Sequence, residues 1–188
     1  MHKVFSLIIA PKNFGPLSAL PFNLDEDNTT RMLVMCGLLL TAFLFVLVPA
    51  QLFDPRTLGG APIWAKPIKF SLSLALHFFT LALLAQQIGT QYRVNKTLTC
   101  FAYAGAAAAL FELIYISIQA ARGRKSHFNI DTELEITMYN LMGIAAFFLI
   151  AVSFVLGVMI WRFSRHRILQ KEASNNAKAI YDPNVGLR

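Results

Sequence analysis

The sequence predicts an all-α integral membrane protein with four transmembrane helices in a bundle, and three observations carry that expectation. Hydrophobic residues make up 56% of the chain and charged residues only 14%. The charges are clustered, so that they bracket four apolar stretches instead of interrupting them. Each stretch has the ~20 residues that a helix rising about 1.5 Å per residue needs to cross ~30 Å of hydrocarbon.

Taken in order, residues 1–31 form an N-terminal segment whose apolar run, Val4 to Ala10, is ended by Pro11 and Lys12 with no small-x-small cleavage site after it. This pattern reads as an uncleaved interfacial segment on the cytoplasmic side. The transmembrane domain covers residues 32–161. Span one, 32–52, is 21 residues without a charge. Asp54-Pro55-Arg56 and Gly59-Gly60 follow as a connection. Span two is placed at 67–88, with Pro67 suited to its first turn and His77 the sole titratable group from Phe70 to Ile88. After Arg93 and Lys96, span three runs over 97–121, interrupted by Glu112 alone. Span four, 137–161, is entered through Thr132-Glu133-Leu134-Glu135, a capping-box pattern with acids at the positive helix end. Residues 162–188 complete the chain as a basic tail, and no connection is long enough for a separate domain.

Orientation follows from lysine and arginine, because basic residues close to a span resist translocation. With four spans, the N-terminal segment, the middle loop and the tail share a side and hold eleven of the 17 basic residues. That side is expected to be cytoplasmic, with both termini there, and Trp64 and Trp161 then mark opposite interfaces. The net charge of +7 sits at membrane edges without interleaved stacking aromatics, which argues against nucleic acid as a partner. Cys36 and Cys100 have no ligand-spaced partner and read as small packing residues. The glycosylation-like triplets at Asn28 and Asn95 fall on the cytoplasmic side and are read as chance matches.

Helical spacing gathers the polar residues of the spans. About 100° per residue places Gly105, Ala108, Glu112, Tyr115 and Gln119 on one side of span three and Tyr103 on the opposite one. The small residues from Ala104 to Ala109 let helices approach closely, so Glu112 is expected to face protein. On span two, Lys66, Lys69, Ser73, His77, Thr80 and Gln87 form a stripe, and on span four Thr137, Asn140, Ile144 and Phe147 share a side. Counted from the outer ends, His77 and Glu112 lie about 15 and 12 Å deep at 1.5 Å per residue, close enough in depth to meet directly or through Ser73. A carboxyl group at that depth costs about 2.5 to 3.5 kcal/mol on insertion scales, so it needs a partner or a task. Structural glue between helices and a proton-carrying or ligand-binding role are both open on the sequence.

The segments Trp64-Ala65-Lys66-Pro67-Ile68-Lys69-Phe70 and Gly123-Arg124-Lys125-Ser126-His127-Phe128-Asn129 resemble elements shared by small four-span bacterial membrane proteins of uncharacterised activity. The resemblance covers spans two to four. It implies a bacterial inner (plasma) membrane setting and supplies no activity.

The leading expectation is an outward-opening polar pocket between spans two, three and four that binds or moves a small anionic or polar ligand. Lys66, Lys69, Arg124 and His127 would receive the anion, Tyr115, Gln119 and Asn140 would orient it, Glu112 and His77 would titrate, and Ser73, as a bridge between those two, completes the candidate ligand-binding set. A redox subunit holding quinone or haem is an alternative motivated by His77 and Tyr115. A second histidine at similar depth for haem is missing, since His2, His127 and His166 lie outside the spans. A non-catalytic assembly subunit is a third. No phosphate-cradling loop, zinc-protease helix or nucleophile elbow occurs, so no motif supports an enzyme, and the cofactor is left unknown. Four spans without an internal repeat are few for alternating access, which points to a homodimer or a larger membrane partner.

Overall fold

A computed structural model describes residues 27–180, with side chains to 177. The interfacial segment expected at Val4 to Ala10, and the last eight residues of the tail, lie outside the described residues. Four long helices dominate: α1 (Asn28–Phe53), α2 (Ala65–Ala85), α4 (Lys96–Ala121) and α5 (Glu133–Ile180), with a single-turn α3 (Thr90–Arg93) between α2 and α4. All four are long and apolar enough to span a membrane, as expected of a multi-pass membrane protein. α1 packs chiefly on α2 and α4 chiefly on α5, while α4 also meets α1 and α2. Many large apolar side chains face outward, including Phe45, Leu52, Ile150 and Phe154. A bundle built for water would hide them, whereas hydrocarbon covers them without penalty.

The core lies along the seam of α1, α2 and α4, with Phe78 and Leu40 fully buried and Val152 and Leu156 closing it from α5. Small residues set the spacing there. Ala102, Gly105, Ala106 and Ala109 are buried on α4, and a Cβ built on Gly105 would sit 3.2 Å from Val152 Cγ1. Tyr103 is 52% exposed on the opposite side, as the helical count requires.

Side chains close the helix ends. Asp27 caps α1 by accepting from the Thr30 amide at 2.6 Å and the Thr30 hydroxyl at 3.0 Å, and its carboxylate lies 3.4 Å from Arg93 in a buried pair. The hydroxyls of Thr29 and Thr99 are 2.8 Å apart, joining the starts of α1 and α4. Asn95 caps α4 by accepting from the Thr97 amide at 2.9 Å. The Thr132 half of the capping box forms at α5, the Glu135 amide donating to Thr132 Oγ1 at 3.3 Å, while the Glu135 carboxylate accepts from the Thr132 hydroxyl at 3.2 Å in place of the backbone N–H.

Three features depart from the sequence expectation. Span two begins at Ala65 and ends at Ala85, three residues before Ile88, because Gln86, Gln87 and Ile88 tighten into i−3 hydrogen bonds. Beyond Trp161 the basic tail continues as one helix to Ile180, since no proline or glycine interrupts 158–182. At 48 residues α5 is about 72 Å long, far more than hydrocarbon requires. The connection after α1 folds into a small hairpin, β1 (Thr57–Leu58) antiparallel to β2 (Ala61–Pro62), with Leu58 opposite Ala61. Gly59 and Gly60 have φ of 60° and 82°, and a two-residue turn with both φ positive selects glycine.

Because the α4–α5 spacing depends on a missing side chain, Gly105→Leu is expected to push Val152 away and destabilise the protein by about 1 to 3 kcal/mol. Thermal unfolding in mild detergent against a Tyr103→Leu control, on the exposed side of the same helix, checks this.

Candidate functional site

At the hairpin end of the bundle the structure holds a cavity of about 620 Å³. Its walls come from the hairpin (Leu58 to Ile63), the start of α2 (Ala65 to Phe70), the last turns of α4 (Ile116, Ala120) and the loop Arg124 to Phe128. Phe70, Ile116 and Ala120 give it an apolar floor, and Lys66, Lys69, Arg124, Lys125 and His127 give it a basic rim. No lining residue is acidic.

Each wall has its own anchor. Asp54 accepts from Arg56 at 2.9 and 2.7 Å and from the Trp64 indole N–H at 2.9 Å, while Arg56 also donates to the Ala121 carbonyl at 3.1 Å. The hairpin is thereby tied to the start of α2 and the end of α4. Hydrogen bonds from Arg56 and then Trp64 hold the Asp54 carboxyl well below the usual carboxylate range, and Arg56 is held above its own ordinary value by the same bond.

The rim loop is fastened from behind by Gln119. Its amide nitrogen reaches the Tyr115 hydroxyl at 3.1 Å, the Lys125 carbonyl at 3.3 Å and Glu135 Oε1 at 3.5 Å, and its oxygen accepts from Arg122 at 3.0 Å. Arg124 donates to buried Glu135 at 2.7 Å, and Asn129 donates to the Lys125 carbonyl at 3.1 Å. Held in this way, the loop carries Phe128 at a φ of 54°, a left-handed conformation that a bulky residue adopts only where its surroundings impose it.

The rim cations are unequally free. Arg124 is engaged by Glu135 and lies 3.9 Å from Asp131. Lys66 Nζ stands 2.8 Å from His127 Nδ1. An ammonium has donors only, so Nδ1 must accept and the imidazole is neutral in this arrangement. Burial, and then the Lys66 charge, lower the His127 pKa from its ordinary 6.5. Lys69 and Lys125 form no ion pair among the described residues.

Of the ten residues singled out in the sequence, the cavity brings together Lys66, Lys69, Arg124 and His127. Tyr115 and Gln119 stand behind it as fasteners of the loop. Glu112 is buried one helical turn beneath Ile116, with no hydrogen bond or ion pair to another described side chain. His77 is half-buried on α2, edge-on to Phe78 with ring centroids 5.5 Å apart and beside the Leu149 backbone, and its Nε2 is buried without a hydrogen-bond partner. No hydrogen bond joins His77 to Glu112. Ser73 and Asn140 are exposed and do not line the cavity. The expected contribution of span four is absent from the lining because Glu135 turns its side of α5 toward α4, and Asn140, five residues on, lies about 140° around the helix.

Lys125 and Phe128 were visible in the sequence as part of the basic loop but carried no separate signal. The floor residues Ile116 and Ala120 carried none, being apolar residues in an apolar span. The hairpin wall had one, the Gly59-Gly60 pair. Searches against protein-family models, curated proteins and solved structures give no match.

Gln119→Leu removes the buried amide that fastens the loop, leaving the Lys125 carbonyl with the Asn129 amide alone and Arg122 without its side-chain acceptor. A loss of about 1 to 3 kcal/mol is expected, with faster hydrogen exchange confined to residues 122–130, read by mass spectrometry.

Proposed function

We propose that this chain is a bacterial inner-membrane protein whose hairpin end faces outward, and that its cavity binds or moves a small anionic ligand. The observation that carries the proposal is the cavity itself, where Lys66, Lys69 and Lys125 stand with the Glu135-paired Arg124 and a neutral His127 around an apolar floor and no carboxylate lines the wall. Low-dielectric walls strengthen the pull of those charges on an anion. The orientation rests on the excess of lysine and arginine at the α3 end, including Arg162, Arg165, Arg167 and Lys171 behind span four. The resemblance of the Trp64–Phe70 and Gly123–Asn129 segments to bacterial inner-membrane proteins supports the setting.

Glu112 and His77 lie below the floor on α4 and α2. A buried acid without a hydrogen-bonding protein partner is poor glue between helices, which favours a task for it: carrying a proton when the ligand above is taken up or released. The small size of a four-span bundle supports a homodimer or a larger partner for any transport cycle.

Native mass spectrometry of protein released from mild detergent tests the proposal. Wild type is expected to retain an anionic species that Lys66→Gln/Lys69→Gln/Lys125→Gln loses at equal folding yield. Equal occupancy in both, or bare protein in both, counts against the cavity as an anion site. Glu112→Gln, tested in parallel, should retain the species if its carboxyl serves movement and not binding.

A second consequence concerns pH. An anion held between Lys66 and His127 favours imidazolium, so the His127 pKa is higher with the anion bound than in the free site, where it lies below 6.5. Binding therefore takes up a proton, and sulfate affinity is expected to rise as pH falls through the interval between the raised bound value and the lowered free one. The other basic side chains on this rim are Lys69, Arg124 and Lys125. Calorimetric titration with sulfate should show the slope in wild type and a flat profile in His127→Phe.

A further inference from the structure

The rim and the floor of the cavity ask for different things from a ligand, and their arrangement narrows its class. The rim offers three cations that no carboxylate neutralises, Lys66, Lys69 and Lys125, gathered at one mouth. The floor offers Phe70, Ile116 and Ala120, apolar side chains with no polar group to orient a hydrophilic body. An inorganic anion bound at the rim would leave that floor bare, and a cavity of about 620 Å³ falls in the range that organic ligands fill. Ser126, beside His127, is the one hydroxyl in the lining, so a sugar phosphate or nucleotide would bury most of its hydroxyls or ring nitrogens against floor side chains that cannot pair with them, at a cost for each.

The position of the cavity adds a second constraint. Trp64, whose neighbours Ile63 and Ala65 line it, is half-buried with its indole N–H tied to Asp54, the posture of an aromatic at a membrane interface. Phe128 lines the cavity and is 78% exposed, and Ile130 beside the same loop is 70% exposed. The mouth is thus flanked by apolar side chains, and in a bilayer that sets Trp64 at its interface a molecule with an anionic head and an alkyl tail can reach both rim and floor from there.

Resting on the reading of the cavity as an anion site, we infer that its ligand is an anionic amphiphile, a phosphate or carboxylate head bearing an alkyl chain, with the head between Lys66, Lys69 and Lys125 and the chain over Phe70, Ile116 and Ala120. The chain supplies affinity by burial and the head supplies selection by charge. Such a molecule could come from the outer leaflet as a lipid or from solution as a free amphiphile. The two sources share this chemistry and are separable by experiment.

The test uses the full chain with Trp161→Phe, which leaves Trp64 as its one tryptophan, in nanodiscs of zwitterionic lipid. Trp64 emission is followed while inorganic phosphate, butyl, hexyl and octyl phosphate, and the uncharged octyl glucoside are added, with the Lys69→Gln/Lys125→Gln form titrated in parallel to account for partition into the bilayer. The inference expects saturable binding that tightens along the alkyl series by up to fourfold per methylene, weakens at least tenfold in the double variant, and is not reproduced by octyl glucoside. Nanodiscs doped with phosphatidylglycerol separate the sources: a Trp64 signal already saturated by the lipid assigns it as the ligand, and an unsaturated one assigns a free amphiphile.

Two results overturn the inference in different ways. Inorganic phosphate binding as tightly as octyl phosphate, with no dependence on chain length, keeps the anion site and rejects the amphiphile. Failure of every anion to bind, or equal binding of octyl glucoside, rejects the anion site itself. Ala61→Phe, which narrows the apolar side from the exposed hairpin without altering the rim, provides a separate check, since it should reduce the gain per methylene.

Discussion

A single buried amide governs the hairpin end of this protein. Gln119 is sealed from solvent at the last turn of α4, where an unpaired donor or acceptor costs about 1 to 3 kcal/mol, so its amide must find partners within the fold. The partners it finds are the Lys125 carbonyl, Glu135, Tyr115 and Arg122. Through them the rim loop is fixed to α4 and to the first turn of α5, and Glu135 is placed where it neutralises Arg124. The consequence for the cavity is indirect: the acid is committed behind the loop, and Lys66, Lys69 and Lys125 face the cavity without a carboxylate. The basic rim results from where one glutamate is held as much as from where the lysines are.

The same physics works at the other end with different residues. Asp27 caps α1 and pairs with Arg93, and Arg93 in turn donates to Gln86 and Thr90, so the turn after α2 is fastened to the start of α1. Polar ties between these two ends are sparse. Ser71 donates to the Leu40 carbonyl, joining α2 to α1, and apolar packing fills the rest, with Leu40, Phe78 and Leu113 against the small residues of α4. The bundle is thus clamped at its ends and packed through its middle. Glu112 and His77 sit in that packed middle without a hydrogen bond to each other, His77 lying beside the Leu149 backbone of α5.

The fold was legible in the sequence because the bilayer imposes a length and a charge distribution that survive any detail of packing. Glu112 facing inward, Tyr103 facing outward and the Thr132 half of the capping box all followed from spacing alone. The site was legible in part. Lys66 and Lys69 precede an apolar helix, and Arg124 and His127 follow one, so their shared level at one end of the bundle could be counted. Asn140 could not be placed, because a helical wheel gives which residues share a side and not which side turns inward; the rotation of α5 is set by the Glu135 contacts with Arg124 and Gln119, which join residues up to 16 positions apart. The floor was silent for a similar reason, since Ile116 and Ala120 differ from their neighbours only in what stands opposite them.

The two walls of the cavity differ in how they respond to acid, and the difference follows from their partners. On the hairpin side the Asp54 carboxylate accepts from Arg56 and Trp64, donors that do not lose their protons in any ordinary range, and its own pKa is driven down by them. That tie keeps its charge as the pH falls, so the hairpin holds its position against α2 and α4. On the loop side the Lys66 to His127 bond exists only while the imidazole is neutral, and protonation converts a donor–acceptor pair into two cations 2.8 Å apart. Two such cations repel until an anion sits between them, so acidification turns an internally satisfied rim into one that needs a counter-ion, while the wall that shapes the cavity stays in place.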